Sequence, residues 1–226
     1  MKCENIYLTR HGVRPTQLPD WAEPYEEKPF DGPKYDLPLA HMGHLQAEAL
    51  AERMKDIRID HIFSSPFSRT LETAIPLARQ KGIPIKIEYG MTEGMMSKWF
   101  GENFPELPST KERHEKYPEI DLNYETKVFP IFPEERADIW ARLAKTICLL
   151  TEEYGPNIML VGHGASCVGA TFALLGQERR VNLSFCSFHH FARQENGWMH
   201  EDIDTFKHLK DKNLYVPPRK SVSAQK

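Results

Sequence analysis

The chain has 226 residues, 40% of them hydrophobic, which is enough to bury a sizeable core as one domain. With 29 Lys and Arg against 32 Asp and Glu the formal charge is -3, and no basic block stands outside the last residues, so the footprint expected of a nucleic-acid binder is missing. No apolar run approaches a signal h-region or a membrane span, and Cys3, Cys148, Cys167 and Cys186 show no CxxC spacing, so the expectation is a soluble, cytoplasmic protein with reduced structural thiols.

Strand-like apolar runs alternate with helical periodicity along the chain. That pattern predicts a three-layer α/β/α sandwich around a mostly parallel sheet. The first strand spans about Asn5 to Thr9. Leu39, Met42, Leu45, Ala49, Leu50 and Met54 follow at helical spacing, and His61 to Ser64 is a second strand, completing a βαβ unit. Ser65-Pro66 reads as a capping hydroxyl and first-turn proline for a helix through Leu71, Ala74 and Leu77 to about Gln80. Ile83 to Ile87 makes the third strand. Pro133-Glu134-Glu135 opens a helix carrying Ile139, Leu143, Ile147 and Leu150, with acidic residues in its first turn. Asn157 to Val161 is a central strand, and a helix from about Ala165 to Leu175 stops at Gly176. Two β-rich runs close the domain, Leu183 to Ala192 and Trp198 to Ile203. The expected domain covers residues 1–206, and residues 207–226 read as a polar, frayed tail.

Two long stretches interrupt this plan, at about 13–38 and 90–133. The first holds Pro15, Pro19, Pro24, Pro29, Pro33 and Pro38 with Trp21, Tyr25, Phe30 and Tyr35. The second carries Trp99, Phe100, Phe104, Tyr117, Tyr124 and Phe129. Loops of this length inside a domain are functional or disordered, and the aromatic content argues for order. The second leaves the third strand, so it can cap the carboxyl edge of the sheet; the alternative is a packed insertion without substrate contact.

Three distant segments repeat one arrangement, a buried strand running into a loop and then a helix. Thr9-Arg10-His11-Gly12 ends the first strand, Ser64-Ser65-Pro66-Phe67-Ser68-Arg69 puts an arginine in the first turn after the second, and Val161-Gly162-His163-Gly164 puts a histidine before a helix N-terminus, a favourable place for an anion. Taken singly, Arg10 and His11 are polar residues at a strand end, Arg69 reads as a solvated helix residue, and His163 as a satisfied core histidine. Together they reach the sheet edge where ligands bind in α/β proteins, and two arginine forks beside histidines suit a phosphoryl group. Gly12 is expected to let the backbone turn close to that phosphate.

These residues resemble the histidine phosphatase superfamily, the phosphoglycerate mutase-like fold. The resemblance rests on Leu8-Thr9-Arg10-His11-Gly12, on Pro38-Leu39 with Gly43, Gln46 and Ala47, on Ser64-Ser65-Pro66 with Arg69, Thr70 and Thr73-Ala74, and on Val161-Gly162-His163-Gly164, in the family's order over about residues 5–175. It implies that His11 is a nucleophile forming a phosphohistidine, and that Arg10, Arg69 and His163 hold the phosphoryl oxygens. A carboxyl group should protonate the leaving alkoxide and then activate water. In the acid phosphatase branch an Asp follows the second histidine, where Gly164 stands here. In the mutase-like branch a Glu follows the third strand, and Glu93 is its counterpart; Glu102 and Asp20 are substitutes. Arg14 matches the RHGxR pattern of acid phosphatases and of eukaryotic phosphatase domains of the suppressor of T-cell receptor signalling type. It can reach the phosphate or an adjacent substrate anion, or sit in a surface ion pair.

The expected enzyme is a metal-independent phosphomonoester hydrolase without cofactor, acting on a small phosphorylated metabolite. A phosphoglycerate mutase grips a second anionic end of its substrate. The second loop instead sets Lys98, Lys111, Arg113, Lys116 and Lys127 against Glu93, Glu102, Glu106, Glu112, Glu115, Glu119, Asp121 and Glu125, and the first is acidic through Asp20, Glu23, Glu26, Glu27 and Asp31. That balance predicts a monoester with an apolar or aromatic body rather than a polyanion. Mutase-type transfer and a catalytically weak binding module of the same fold are the alternatives. A metal hydrolase is disfavoured because His41 with His44 and His189 with His190 lack ligand-motif context, so no metal is expected. Neither nucleic acid nor membrane is an expected partner, and the oligomeric state is left open, a dimer included.

Overall fold

The structure is a computed structural model that describes residues 2–20, 32–176, 181–201 and 203–217. Six strands form one sheet in the order β3-β2-β4-β1-β5-β6: β1 (Asn5–Arg10), β2 (His61–Ser64), β3 (Ile85–Ile87), β4 (Asn157–Gly162), β5 (His189–Gln194) and β6 (Gly197–His200). β1 to β4 are mutually parallel, β5 is antiparallel to β1, and β6 is antiparallel to β5. Short apolar strands predict this, because an inner parallel strand is covered on both faces. On one face Tyr7, Ile62, Met159 and Val161 pack under α1 (His41–Arg53) and α2 (Ser68–Lys81). On the other, Ile6, Leu8, Phe63, Ile158 and Leu160 pack under α5 (Arg136–Glu153) and α6 (Gly164–Leu175). Each fully buried branched side chain contributes about 1.5–3 kcal/mol. The three-layer sandwich predicted from the sequence is the fold observed.

Sheet order brings the sequence segments together. β1 and β2 are not neighbours as the simple βαβ reading implied; β4 inserts between them and pairs with both. In the register, Arg10 lies opposite Gly162 and Ser64 opposite Val161, so His11, His163 and Ser65 all emerge at one level of the carboxyl edge. The His11 N–H donates to the Gly162 carbonyl at 2.9 Å, and the Ser65 N–H to that of Val161 at 3.1 Å.

Several expectations are corrected. Ser65 does not cap α2, which starts at Ser68 with Phe67 at its N-cap and no side-chain bond there; the Ser65 hydroxyl points to His163 instead. The third strand begins at Ile85, not Ile83, since Ile83 and Pro84 complete the turn out of α2 after Gly82 in the left-handed region at φ 65°. The run from Leu183 becomes a ladder only at His189. The tail does not fray at residue 207: α7 (Lys207–Lys210) follows, and Leu209 and Val216 are buried. Gln46 donates to the Leu214 carbonyl at 2.8 Å and Ser184 to that of Val216 at 2.7 Å. Leu209, Leu214 and Val216 supply an apolar face that the surrounding Lys and Pro obscured. Residues 218–226 lie outside the described residues, and no helix among those described is long and apolar enough to cross a membrane.

The interruptions are packed where they are described. Residues 21–31, with Trp21, Tyr25, Phe30 and most of the acidic residues of the first loop, lie outside the described residues. The second contains two short helices, α3 (Ser97–Phe100) and α4 (Thr110–Lys116). It is anchored by Glu88, fully buried at the end of β3, whose carboxylate accepts from Tyr124 Oη, Thr126 Oγ1 and the N–H groups of Lys127 and Val128. Arg113 of α4 forms a buried pair with Asp36 at 2.7 Å, and Asp36 also accepts from the Ser68 N–H at 2.6 Å, tying both loops to the start of α2.

Gly12 has a different job from the one expected. A Cβ on it would lie 2.7 Å from the Gly43 carbonyl oxygen, and a Cβ on Gly43 would run into that of Val13, so β1 leaves the sheet in backbone contact with α1. Ala in place of Gly within a helix normally gains about 1 kcal/mol, but overpacking against fixed backbone costs about 1–3 kcal/mol, so the clash wins. Gly43→Ala is expected to lower the urea midpoint, whereas Gly82→Ala, whose added methyl meets only open space, tests left-handed strain alone.

Candidate active site

The segment after β1 is immobilised by backbone bonds from three directions. The Gly12 N–H donates to Thr73 Oγ1 at 3.0 Å and the Val13 N–H to Gln46 Oε1 at 2.8 Å, while the Val13 carbonyl accepts from Ala40 N–H at 3.0 Å. Thr73 and Gln46 belong to the helices behind the sheet edge. Their place in the motif is therefore structural: they hold the loop that carries His11.

His11 is 2% exposed, and its Nδ1 stands 2.7 Å from the Gly12 carbonyl oxygen. A carbonyl only accepts, so Nδ1 carries the proton and Nε2 keeps its lone pair. Burial, reinforced by the Arg69 and Arg10 charges, holds the imidazole's pKa well below the ordinary 6.5. It is a neutral base at neutral pH. His163 is fully buried at the N-cap of α6, with its ring centroid 5.3 Å from that of His11. Burial, Arg69 and His11 push its pKa down in the same way.

A cleft of about 390 Å³ opens over His11. Arg10, Arg14, Arg69 and Glu93 line it, so the structure brings every sequence-predicted site residue together, His163 lying behind against His11. The Arg10 guanidinium stacks 4.2 Å over the Phe185 ring, and that of Arg69 4.4 Å over Phe67, which fixes their planes without neutralising them. Burial, with Arg14 beside it, pulls the Arg69 pKa down to about 9, leaving it protonated at neutral pH. The buried Nε atoms of Arg10, Arg14 and Arg69 have no protein partner among the described residues. Three guanidinium groups gathered around a single carboxylate, Glu93, in the described lining are suited to a multiply charged oxyanion.

Glu93 is the single carboxylate in the described lining, and its Oε1 accepts from the N–H of Ala165 at 3.0 Å, in the first turn of α6. The loop carrying it is clamped from below. Arg142 of α5 forms a buried two-pronged pair with Glu134, at 2.6 and 2.8 Å, and donates to the carbonyls of Gly90, Thr92 and Glu93. Glu134 in turn accepts from the Met95 N–H at 2.8 Å. The substitutes Glu102 and Asp20 are exposed and outside the lining.

Tyr35, Trp99 and Phe100 form an aromatic wall, and Gln17, Lys34 and Lys98 complete the described lining. The aromatic loop residues were legible as a class; Gln17, Lys34, Phe185 and the Arg142–Glu134 clamp were not singled out. The loop-charge reading is corrected here. Of the second loop's charges only Glu93 and Lys98 line the cleft, while Glu112 accepts from Ser109 at the start of α4, Glu119 pairs with Arg79 and Asp121 with Lys86. Among the described residues, the acid-rich second loop therefore surrounds a base-rich cleft. The histidine pairs are engaged elsewhere: His189 Nδ1 lies 3.2 Å from His200 Nε2, and His190 Nε2 lies 2.8 Å from Asn5 Oδ1.

The fold and this arrangement define an α/β protein with two buried histidines and three arginines gathered at its sheet edge. The family model of the histidine phosphatase superfamily (branch 1) matches residues 6–204, and the chain belongs to that family. It is 32% identical over 211 residues to the transcription factor tau 55 kDa subunit of Saccharomyces cerevisiae, aligning 81% of this chain with 44% of that protein, so it spans less than half of that relative's length. It is 30% identical to a probable phosphoglycerate mutase GpmB of Escherichia fergusonii, over 86% of this chain and 87% of that one. Among solved structures it resembles the ecdysone phosphate phosphatase of Bombix mori in complex with tungstate, with a TM-score of 0.69, 19% identity, and coverage of 99% of this chain and 97% of that one.

Arg142→Met would leave Glu134 buried without its partner and release three loop carbonyls, and a lost partner of a buried pair costs about 3–5 kcal/mol. Glu93→Gln keeps an oxygen for the Ala165 N–H and should change stability by less than about 1 kcal/mol. Urea unfolding of the two variants is expected to separate them by that margin; equal stabilities would mean that Arg142 does not hold the loop.

Proposed function

We propose that this protein is a phosphomonoester hydrolase that works without a metal through a phosphohistidine on His11, on a small phosphorylated metabolite. The observation that carries the reading is the His11 tautomer: the Gly12 carbonyl binds Nδ1–H, and burial among arginines keeps the ring neutral, leaving Nε2 as a nucleophile.

In this reading Nε2 attacks phosphorus in line with the ester oxygen, and the P–O bond breaks as the N–P bond forms. Arg10, Arg14, Arg69 and His163 take the charge on the non-bridging oxygens, the largest contribution available to such a transfer. Glu93, in its acid form, gives its proton to the departing alkoxide. The resulting carboxylate then takes a proton from the water that attacks phosphorus; a P–O bond forms as the N–P bond breaks, releasing inorganic phosphate and restoring His11 and the acid form of Glu93. The aromatic wall of Tyr35, Trp99 and Phe100 receives the body of the leaving group.

Mutase-type transfer is kept as the second reading, because Lys34 and Lys98 line the cleft and could meet a second anionic end. Hydrolysis of a generic aryl phosphate should persist in chelator and fall at least about a thousandfold in His11→Ala, as nucleophile removal does elsewhere. Acid-labile, base-stable phosphate should be trapped on the wild-type chain. Activity that survives in His11→Ala would remove the nucleophile, and conversion of 3-phosphoglycerate to 2-phosphoglycerate would favour the mutase.

The pH profile follows from the neutral imidazole. Because the pKa of His11 is held well below 6.5, protonation does not remove the nucleophile until the solution is well below that pH. The acid limb of kcat/KM, which reports the free enzyme once the substrate's own ionisation is allowed for, is expected below 6.5; a limb at or above that value would show an ordinary histidine.

A further inference from the structure

Ser65 is fully buried, and the one hydrogen bond of its hydroxyl among the described residues joins it to His163 Nε2 at 2.7 Å. Its own carbonyl is taken by Ser64 Oγ at 3.0 Å and Thr70 Oγ1 at 2.9 Å, and its N–H by the Val161 carbonyl. On the far side of the same ring, His163 Nδ1 is buried without a hydrogen-bond partner among the described residues.

We infer that Ser65 is a positioning residue: its hydroxyl donates to His163 Nε2 and so places the ring's one proton on Nδ1, as a donor for a phosphoryl oxygen beside His11. The inference rests on the hydrolase reading for what the proton is used for, but the proton's location follows from the protein alone. A buried hydroxyl hydrogen needs an acceptor, and here the reachable one is Nε2. If the proton sat on Nε2 instead, the hydroxyl hydrogen would have no acceptor and Nδ1 would turn a lone pair on an anion. The same burial and arginine charges that keep His11 neutral keep His163 neutral, so one proton has to be assigned.

The two histidines are thereby held in the same tautomer by opposite means. A carbonyl accepting at Nδ1 leaves His11 with a free Nε2 lone pair; a hydroxyl donating at Nε2 leaves His163 with a free Nδ1–H. One ring is set to attack and its neighbour to donate, although both are neutral and their centroids are 5.3 Å apart.

The test reads protons directly, by long-range nitrogen–proton NMR on histidine-labelled protein, with the His163 signals assigned by their loss in His163→Asn. The wild type should show His163 protonated at Nδ1, and Ser65→Ala should move that proton to Nε2. Turnover of an aryl phosphate should fall about ten- to a hundredfold in kcat with little change in KM, the scale seen when an outer partner of a functional histidine is lost. Ser65→Thr, which keeps the hydroxyl, should restore the tautomer. Among replacements of the ring, His163→Asn, whose amide reaches the Nδ1 position, should retain more activity than His163→Gln. A wild-type proton on Nε2, or an unchanged tautomer in Ser65→Ala, would overturn the inference. If Ser65→Ala does not fold, the wild-type spectrum and the Asn and Gln pair decide. A wild type with no turnover at all would defeat the hydrolase reading while the spectrum still ruled on Ser65.

Discussion

Everything at the carboxyl edge is arranged around one electrostatic demand, holding three guanidinium groups close to a buried imidazole without neutralising them. Like charges in a partly dry site repel, and the usual remedy is a carboxylate for each. Here the described lining supplies one, Glu93, and the remaining order comes from uncharged contacts: Arg10 on Phe185, Arg69 on Phe67, and Arg69 Nη1 on the Tyr35 carbonyl at 3.2 Å. The unspent positive potential has a second effect. Added to burial, which is the larger cause, it lowers the basicity of both histidines, so that neutral rings stand where solution chemistry would leave them part protonated.

The carboxylates that might have quenched the arginines are occupied behind the site. Asp36 is bound to Arg113 and Ser68, Glu134 to Arg142, Glu72 to Tyr117 and the Leu39 N–H, and Glu88 to five groups of the second loop. Each joins an inserted loop to the sheet or to a helix. Buried acid is used as a fastener for the loops, which are thereby rigid enough to carry Glu93 and the aromatic wall. Among the described residues, the cleft keeps its positive charge because every acid but Glu93 lies outside its lining.

The layers, the strand positions and the key side chains of the edge were legible because they depend on local pattern. Period and burial identify β1, β2 and β4, and a charged pair at a strand end stands out against an apolar run. What was not legible depends on pairs distant in sequence. Nothing local says that β4 inserts between β1 and β2, that Ser65 faces His163 rather than the end of α2, or that Gly12 meets Gly43. Gly12 and Ser65 were given local jobs, a turn and a cap, because those are the jobs such residues do when nothing else approaches.

The loop-charge inference failed for a related reason, and the failure bears on specificity. Net charge over a segment measures the field far from it, where individual charges blur within a Debye length of about 8–10 Å. A substrate inside a cleft meets only the charges that line it. In the second loop Glu112 sits on α4, bound to Ser109, and Glu119 and Asp121 lie at β3's flank, paired with Arg79 and Lys86, while Lys98 lines the cleft beside Trp99 at 5.1 Å from its ring. Lys34 lies against Tyr35 in the same way, at 5.2 Å. Each lysine is thus paired with an aromatic face, so the rim offers apolar area and positive charge at the same points. Under the proposed hydrolase reading, a leaving group with an aromatic body and one with a second anion would meet the same side chains, and selection between them would fall to distance from His11 rather than to the sign of the cap.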